Sequence, residues 1–121
     1  MFEKVSSWLD RVLVQEIPDR VVAFCFNLYE DENDSWSMEM VGTESFDLDD
    51  DDWGCDEVTD FGTREDRFIW QGNKKWNEVL DEMISVLEDY LEKGVYAEKL
   101  KERTGVGIGF VDGDIAIIHH K

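Results

Sequence analysis

A run of closely spaced aspartates is the part of the sequence best suited to bind a cation. Asp47, Asp49 and Asp51 read D-x-D-x-D, the opening of a calcium loop of the EF-hand type, and Ca²⁺ takes about six to eight oxygen ligands. The pattern departs from that loop twice. Asp52 stands where glycine makes the turn, and Val58 stands where the bidentate glutamate belongs. The spacing therefore does not favour a calcium site, and we expect no metal ion or cofactor.

The two histidines form no recognisable metal or catalytic motif. His119 and His120 are adjacent, so on a strand their side chains point to opposite faces. Cys55 with either histidine would supply only part of a zinc site, which needs further ligands to complete its tetrahedral set. No serine or cysteine stands in a nucleophile-elbow motif, and carboxylate pairs are too numerous to single out a catalytic one. The sequence therefore predicts a protein that is not an enzyme.

Gly105, Gly107 and Gly109 alternate in the run GVGIG. A phosphate-binding loop would also have a Lys-Ser/Thr pair and would open a helix after a strand, and this run does neither. Glycines in a strand instead indicate close backbone approach, a bulge or a bend. We therefore expect these glycines to serve packing.

Negative charge is concentrated between Glu30 and Arg67. This range holds sixteen Asp and Glu against two Arg, a net charge of −14 out of −18 for the chain. Trp36, Phe46 and Trp53 are interleaved with the acids, so we expect the range to be folded. Contacts to phosphates and anionic lipids need Lys and Arg, which argues against nucleic acid and membrane surfaces as direct partners. The charge favours a basic protein partner.

We expect the segment 47–57 to be the main partner-binding site. Its carboxylates would mimic phosphate charge towards Lys and Arg of the partner, and its tryptophan would serve as an apolar anchor. A second set of acids lies in the turn of the first hairpin. The predicted binding residues are Asp47, Asp49, Asp50, Asp51, Asp52, Trp53, Asp56 and Glu57 in the segment, and Asp31, Glu32 and Asp34 in the turn.

The first half of the chain alternates between helical and strand patterns. Apolar residues spaced three and four apart predict a helix over residues 2–15, which Pro18 ends. Period-two alternation predicts a hairpin over residues 20–42, and its first strand is apolar on both faces, as inner strands are. Short strands are expected at 45–48 and 68–70.

The second half of the chain predicts a long helix and a closing hairpin. The helix starts near Asn73 and ends at Gly94, with Trp76 in its apolar stripe, and a further helical segment covers residues 95–103. Asp-Gly-Asp between two apolar runs predicts a C-terminal β-hairpin. The predicted fold is α+β: an antiparallel sheet with an N-terminal helix, one long amphipathic helix and the C-terminal hairpin, in a single domain over residues 1–121.

The sequence also bears on cellular location. No apolar run approaches the roughly 18 residues that span a bilayer, and the N-terminus lacks the pattern of a signal peptide. Cys25 and Cys55 are too few for a disulfide framework, so we expect free thiols in a reducing compartment. The expected location is cytoplasmic, without membrane binding.

The size, acidity and order of elements resemble those of small immunity proteins from bacterial toxin–immunity systems, including contact-dependent growth inhibition. The stretches that carry the resemblance are WNEVLDEMISVLEDYLEKG and YAEKLKERTGVGIGFVDGDIAIIHH, together with the lack of a catalytic motif. Proteins of this type bind the basic catalytic domain of a cognate toxin, often a nuclease, and block it. The resemblance implies a stoichiometric inhibitor in the cytosol of the producing cell.

Two other functions remain open on the sequence. A DNA-mimic regulator would occupy a host DNA-binding protein, and it too would need a basic partner. An adaptor or housekeeping domain with a merely solvated acidic segment would have no tight basic partner.

Overall fold

A six-stranded sheet is the central layer of the protein. The structure is a computed structural model that describes residues 1–121. Its strands are β1 (Ala23–Glu30), β2 (Ser35–Thr43), β3 (Glu57–Gly62), β4 (Phe68–Gln71), β5 (Gly105–Phe110) and β6 (Ala116–His120). They lie in the order β3-β2-β1-β5-β6. β4 pairs with the first half of β2, and β3 pairs with its last residues.

Three helices cover one face of this sheet and enclose the main core. They are α1 (Phe2–Leu13), α2 (Trp76–Lys93) and α3 (Ala97–Lys101). Apolar residues recur every three or four positions along α1 and α2, and every second strand residue meets them. Phe24, Phe26 and Leu28 of β1 are fully buried there. None of the helices has the length and apolar content needed to cross a membrane.

Both predicted hairpins and the inner position of β1 are confirmed. β1 lies between β2 and β5, and it pairs antiparallel with β2. Asn33 and Asp34 turn the chain with φ of 59° and 57°, in the left-handed region that Asn and Asp tolerate. β5 and β6 form the second antiparallel pair.

The sheet is mixed rather than antiparallel, which corrects the predicted fold in one respect. β1 and β5 run parallel, from Ala23 opposite Gly105 to Leu28 opposite Phe110. A parallel pair requires a long crossover, and here the chain between the two strands includes the helices α2 and α3. The α+β class, the N-terminal helix and the C-terminal hairpin are as predicted.

Residues 45–48 form no strand, contrary to the prediction. Phe46 turns inward against β5, and the Asp47 carboxylate accepts the backbone N–H of Asp49 at 2.8 Å, so the chain turns there. The sequence also missed β3, which begins at Glu57. That residue therefore belongs to a strand and not to the preceding loop.

α2 begins at Trp76 rather than near Asn73. The Glu78 carboxylate accepts the backbone N–H of Lys75 at 3.0 Å, which satisfies one of the free donors at the helix start. Gly94 follows the last helical residue, as the sequence predicts.

Candidate functional site

The candidate site lies on the face of the sheet opposite the helices. An acidic loop, residues 44–56, joins β2 to β3 across this face and contains a 3₁₀ helix, Asp51–Cys55. The loop holds seven Asp and Glu and no Lys or Arg. Its internal repulsion must be offset by contacts that hold it on the sheet.

Two aromatic side chains supply those contacts. Trp53 is 3% exposed and packs with Ala23, Cys25 and Val41. The ring of Phe46 meets it edge-on, with ring centroids 4.9 Å apart. Trp53 was predicted to be an apolar anchor for a partner, but its ring points into the protein and leaves a partner almost no surface to contact. Its role in this structure is to fix the acidic loop to the sheet.

The glycines of β5 make room for these aromatic rings. A Cβ at Gly107 would lie 2.9 Å from Cζ2 of Trp53 and 2.6 Å from Cγ2 of Ile115, which is too close for either neighbour. A Cβ at Gly105 would overlap the ring of Phe46. The predicted close approach at this glycine run is confirmed, and the acidic loop is one of the segments that approach.

Some carboxylates of the acidic loop also have fixed positions. Asp50 accepts a backbone N–H two residues on, at 3.0 Å, and so caps the 3₁₀ helix. Asp51 accepts the backbone N–H of Ile115 at 3.0 Å, which ties the loop to the turn between β5 and β6. Asp56 accepts the hydroxyl of Ser45 at 2.8 Å. These bonds orient the acids without burying them.

The structure brings the predicted acids of segment 47–57 together and leaves them exposed. Asp49 and Asp52 are the clearest cases, because their carboxylates accept no hydrogen bond from the protein. The acids of the first hairpin turn are also exposed, but they line neither of the cavities that border the acidic loop. The acids that stand apart in this way are Asp31, Glu32 and Asp34.

Two cavities of about 420 Å³ each border the acidic loop. The first lies beside Phe46 and is lined by four aspartates: Asp47, Asp50, Asp52 and Asp56. The second, which we call the hairpin cavity, lies between the acidic loop and the turn that joins β5 to β6. Asn27 and Tyr29 of β1 line it, and four acids surround it: Asp51, Asp52, Glu57 and Asp112. Acids thus make up four of the eight residues that line the first cavity and four of the twelve that line the hairpin cavity.

A buried carboxylate on this face was not singled out from the sequence. Glu39 of β2 is fully buried, accepts the Tyr29 hydroxyl at 2.9 Å, and lies 3.5 Å from a guanidinium nitrogen of Arg64. Arg64 also pairs with Glu57 at 2.8 Å, and the guanidinium of Arg67 lies 4.3 Å from the centre of the Tyr29 ring. The only sequence signal was an acid alternating with apolar residues in a strand.

Burial and the neighbouring carboxylate set the protonation of this group of residues. Burial, followed by the hydrogen bond to Glu39, raises the pKa of Tyr29 to about 12. Glu39 also raises the pKa of the Arg64 guanidinium, which stays charged. The cluster is therefore a fixed polar support beneath the acidic face.

The thiols and acids of this face form no metal site. Cys25 and Cys55 are both free, as predicted, and burial raises the pKa of Cys25 to about 12, so it is unreactive. No group of three or more His, Cys, Asp or Glu side chains has an arrangement that could hold a metal ion. No protein-family model, curated protein or solved structure matches the chain.

Proposed function

We propose that this protein is an immunity protein that binds and neutralises a cognate basic toxin domain. The acidic loop is the binding site. A nuclease is the class of toxin domain that fits this loop, since Lys and Arg side chains that contact phosphates can contact these carboxylates instead. The protein acts by stoichiometric binding in the cytosol of the producing cell, and not by catalysis.

The observation that carries this proposal is the fixed display of exposed acids. Trp53 holds the acidic loop on the sheet, and Asp51 joins it to the neighbouring hairpin turn. Asp49 and Asp52 then point unpaired carboxylates at solvent from an ordered backbone. A surface that is already ordered loses less entropy when a partner binds.

A loop that served only solubility would not need this support. Ordering backbone costs about 1–2 kcal/mol per residue, and hydration of carboxylates does not require it. A buried tryptophan and a glycine-lined strand face instead hold the acids at set positions. Set positions matter when the acids must match the Lys and Arg of another protein, and the same charge speeds the encounter.

Co-purification with the product of the adjacent gene tests this proposal. We expect a basic protein whose activity on RNA or DNA is abolished at a one-to-one ratio of the two proteins. A host DNA-binding protein without toxic activity, recovered in its place, would favour a DNA-mimic regulator. Failure to recover any partner by salt-sensitive binding would refute the proposal.

A further inference from the structure

A third cavity lies on the other side of the hairpin turn that borders the acidic loop. Its volume is about 450 Å³, and Trp76 and Leu80 of α2 line one side of it. Phe110, Asp112 and Asp114 of the hairpin line the other side. We call this cavity the aromatic slot.

The aromatic slot adjoins the face proposed to bind the partner, on the helix side of the β5–β6 hairpin. Phe110, Asp112 and Gly113 line both the slot and the hairpin cavity, so only the tip of the β5–β6 hairpin separates the two. Val111, at that tip, is 52% exposed. A single partner domain seated on the acidic loop can therefore reach into the slot.

Trp76 is the exposed aromatic residue of this slot. The sequence places it in the apolar stripe of α2, but 59% of its surface is open to solvent. Its ring stands edge-on to Phe110, with centroids 6.1 Å apart and planes at 88°. Phe110 in turn rests on Trp36, whose indole N–H donates to the carbonyl of Gly72 at 2.9 Å. Trp76 thus sits on a fixed aromatic support with an open surface.

Two carboxylates accompany this ring. Asp112 and Asp114 are exposed, and neither carboxylate has a hydrogen-bond or ion-pair partner in the protein. An aromatic ring beside carboxylates suits a guanidinium, because that group stacks on a ring face and pairs with an acid through its planar fork. A lysine ammonium can use the acids but stacks less well.

We propose that the aromatic slot receives an arginine side chain of the basic partner, an inference that rests on the proposed function. Trp76 then takes the anchoring role that the sequence assigned to Trp53. Charge selects this occupant over a second copy of the chain, since two copies would each bring a net charge of −18. Tryptophan and arginine are also the residues most enriched where a few contacts dominate binding.

Oligoarginine and oligolysine peptides of equal length, titrated at low salt, test this inference. We expect Trp76→Ala to weaken oligoarginine binding about tenfold and oligolysine binding less, as loss of a partly desolvated cation–aromatic contact predicts. Trp76→Phe, which keeps a ring against Phe110, should fall between. Ile69→Ala is the matched control: it removes an apolar side chain that is 67% exposed on β4, and we expect less than about a twofold change.

Indole N–H signals in nuclear magnetic resonance spectra provide a second measurement. The signal of Trp76 should shift on peptide addition. The signal of Trp8 should not, because that indole is 2% exposed and donates to the carbonyl of Asp66 at 2.8 Å.

The outcomes separate the slot from the acidic loop. If substitution of Asp49–Asp52 by Asn abolishes binding while Trp76→Ala behaves like Ile69→Ala, the slot is overturned and the acidic loop is retained. If neither peptide binds the wild type, the whole acidic face is refuted as a binding site. If the wild type is a dimer and Trp76→Ala is a monomer by light scattering, the slot is a self-contact and the inference is wrong.

Discussion

Removing the side chain of Trp53 should loosen the acidic loop and lower the stability of the whole domain. Truncation of a buried Trp or Phe to Ala costs about 3–5 kcal/mol in a well-packed core. Trp53 is 3% exposed but belongs to a small cluster beneath a loop, which can partly collapse into the space left behind. We therefore expect the lower end, about 3 kcal/mol, out of a total of about 5–15 kcal/mol for a domain.

Trp53→Phe is the matched comparison. The buried indole nitrogen of Trp53 has no hydrogen-bond partner, so phenylalanine removes an unsatisfied donor along with some packing. We expect a loss of about 1 kcal/mol for this variant.

Urea unfolding followed by far-ultraviolet circular dichroism measures both variants, because four other tryptophans complicate a fluorescence readout. With a slope of about 2 kcal/mol per molar urea, Trp53→Ala should lower the midpoint by about 1.5 M. Hydrogen exchange should become faster at the backbone N–H of Ile115, whose acceptor lies in the loop. A loss below about 1 kcal/mol for Trp53→Ala would refute the claim that this ring fixes the acidic loop.

Three further predictions concern the stability of two variants and the ionisation of two tyrosines. Gly107→Ala should lower the free energy of unfolding in urea by about 1–3 kcal/mol, because its Cβ would overlap the side chains of Trp53 and Ile115. Arg64→Ala should lower the free energy of unfolding by about 2 kcal/mol, since it leaves the buried Glu39 carboxylate with only the Tyr29 hydroxyl as a partner. Adding Glu39→Gln should recover most of that loss, and no recovery would contradict the pairing of Arg64 with Glu39. Tyr29 should titrate near pH 12 by ultraviolet absorbance, a step absent in Tyr29→Phe; Tyr90 should also titrate above the usual range, owing to burial and a hydrogen bond to a carboxylate. Because both folded-state pKa values are raised, the contribution of each tyrosine to stability is present below about pH 10. It is lost as pH rises through about 12 for Tyr29, and at higher pH for Tyr90.

The local elements of the fold were predictable because their signals are local. The turn residues of both hairpins and the apolar faces of the strands lie within short stretches, and both hairpins form as predicted. The parallel pairing of β1 with β5 has no local signal, because it joins residues about eighty positions apart through helix packing. β3 was missed because buried Val58 and Phe61 are separated by two exposed residues, which breaks the alternation of a strand.

The candidate site was likewise predictable only where its properties follow from nearby residues. The charge and exposure of the acidic segment follow from composition, and the structure displays those acids together. The burial of Trp53 depends on the space left by Gly107, which has no side chain and lies more than fifty residues later, so no nearby residue predicts that burial. Trp76 was placed in the apolar stripe of the helix but is exposed, because helical periodicity assigns a residue to a stripe without indicating where the sheet beneath it ends.

The acidic loop, and not net charge alone, is proposed to bind the basic partner. The decisive measurement is the affinity for the co-purified partner of two variants, each of which removes four negative charges. The loop variant replaces Asp49–Asp52 by Asn, which keeps acceptor oxygens for the backbone N–H groups that Asp50 and Asp51 bind. The control variant replaces four exposed acids, three in α2 and one directly after α3: Asp81→Asn, Glu88→Gln, Glu92→Gln and Glu102→Gln.

We predict that the loop variant binds about a hundredfold more weakly at low salt, that the loss shrinks as salt rises, and that the control variant changes affinity less than about threefold. Equal effects of the two variants would show that only net charge matters. An unchanged affinity of the loop variant would contradict the assignment of the acidic loop as the binding site.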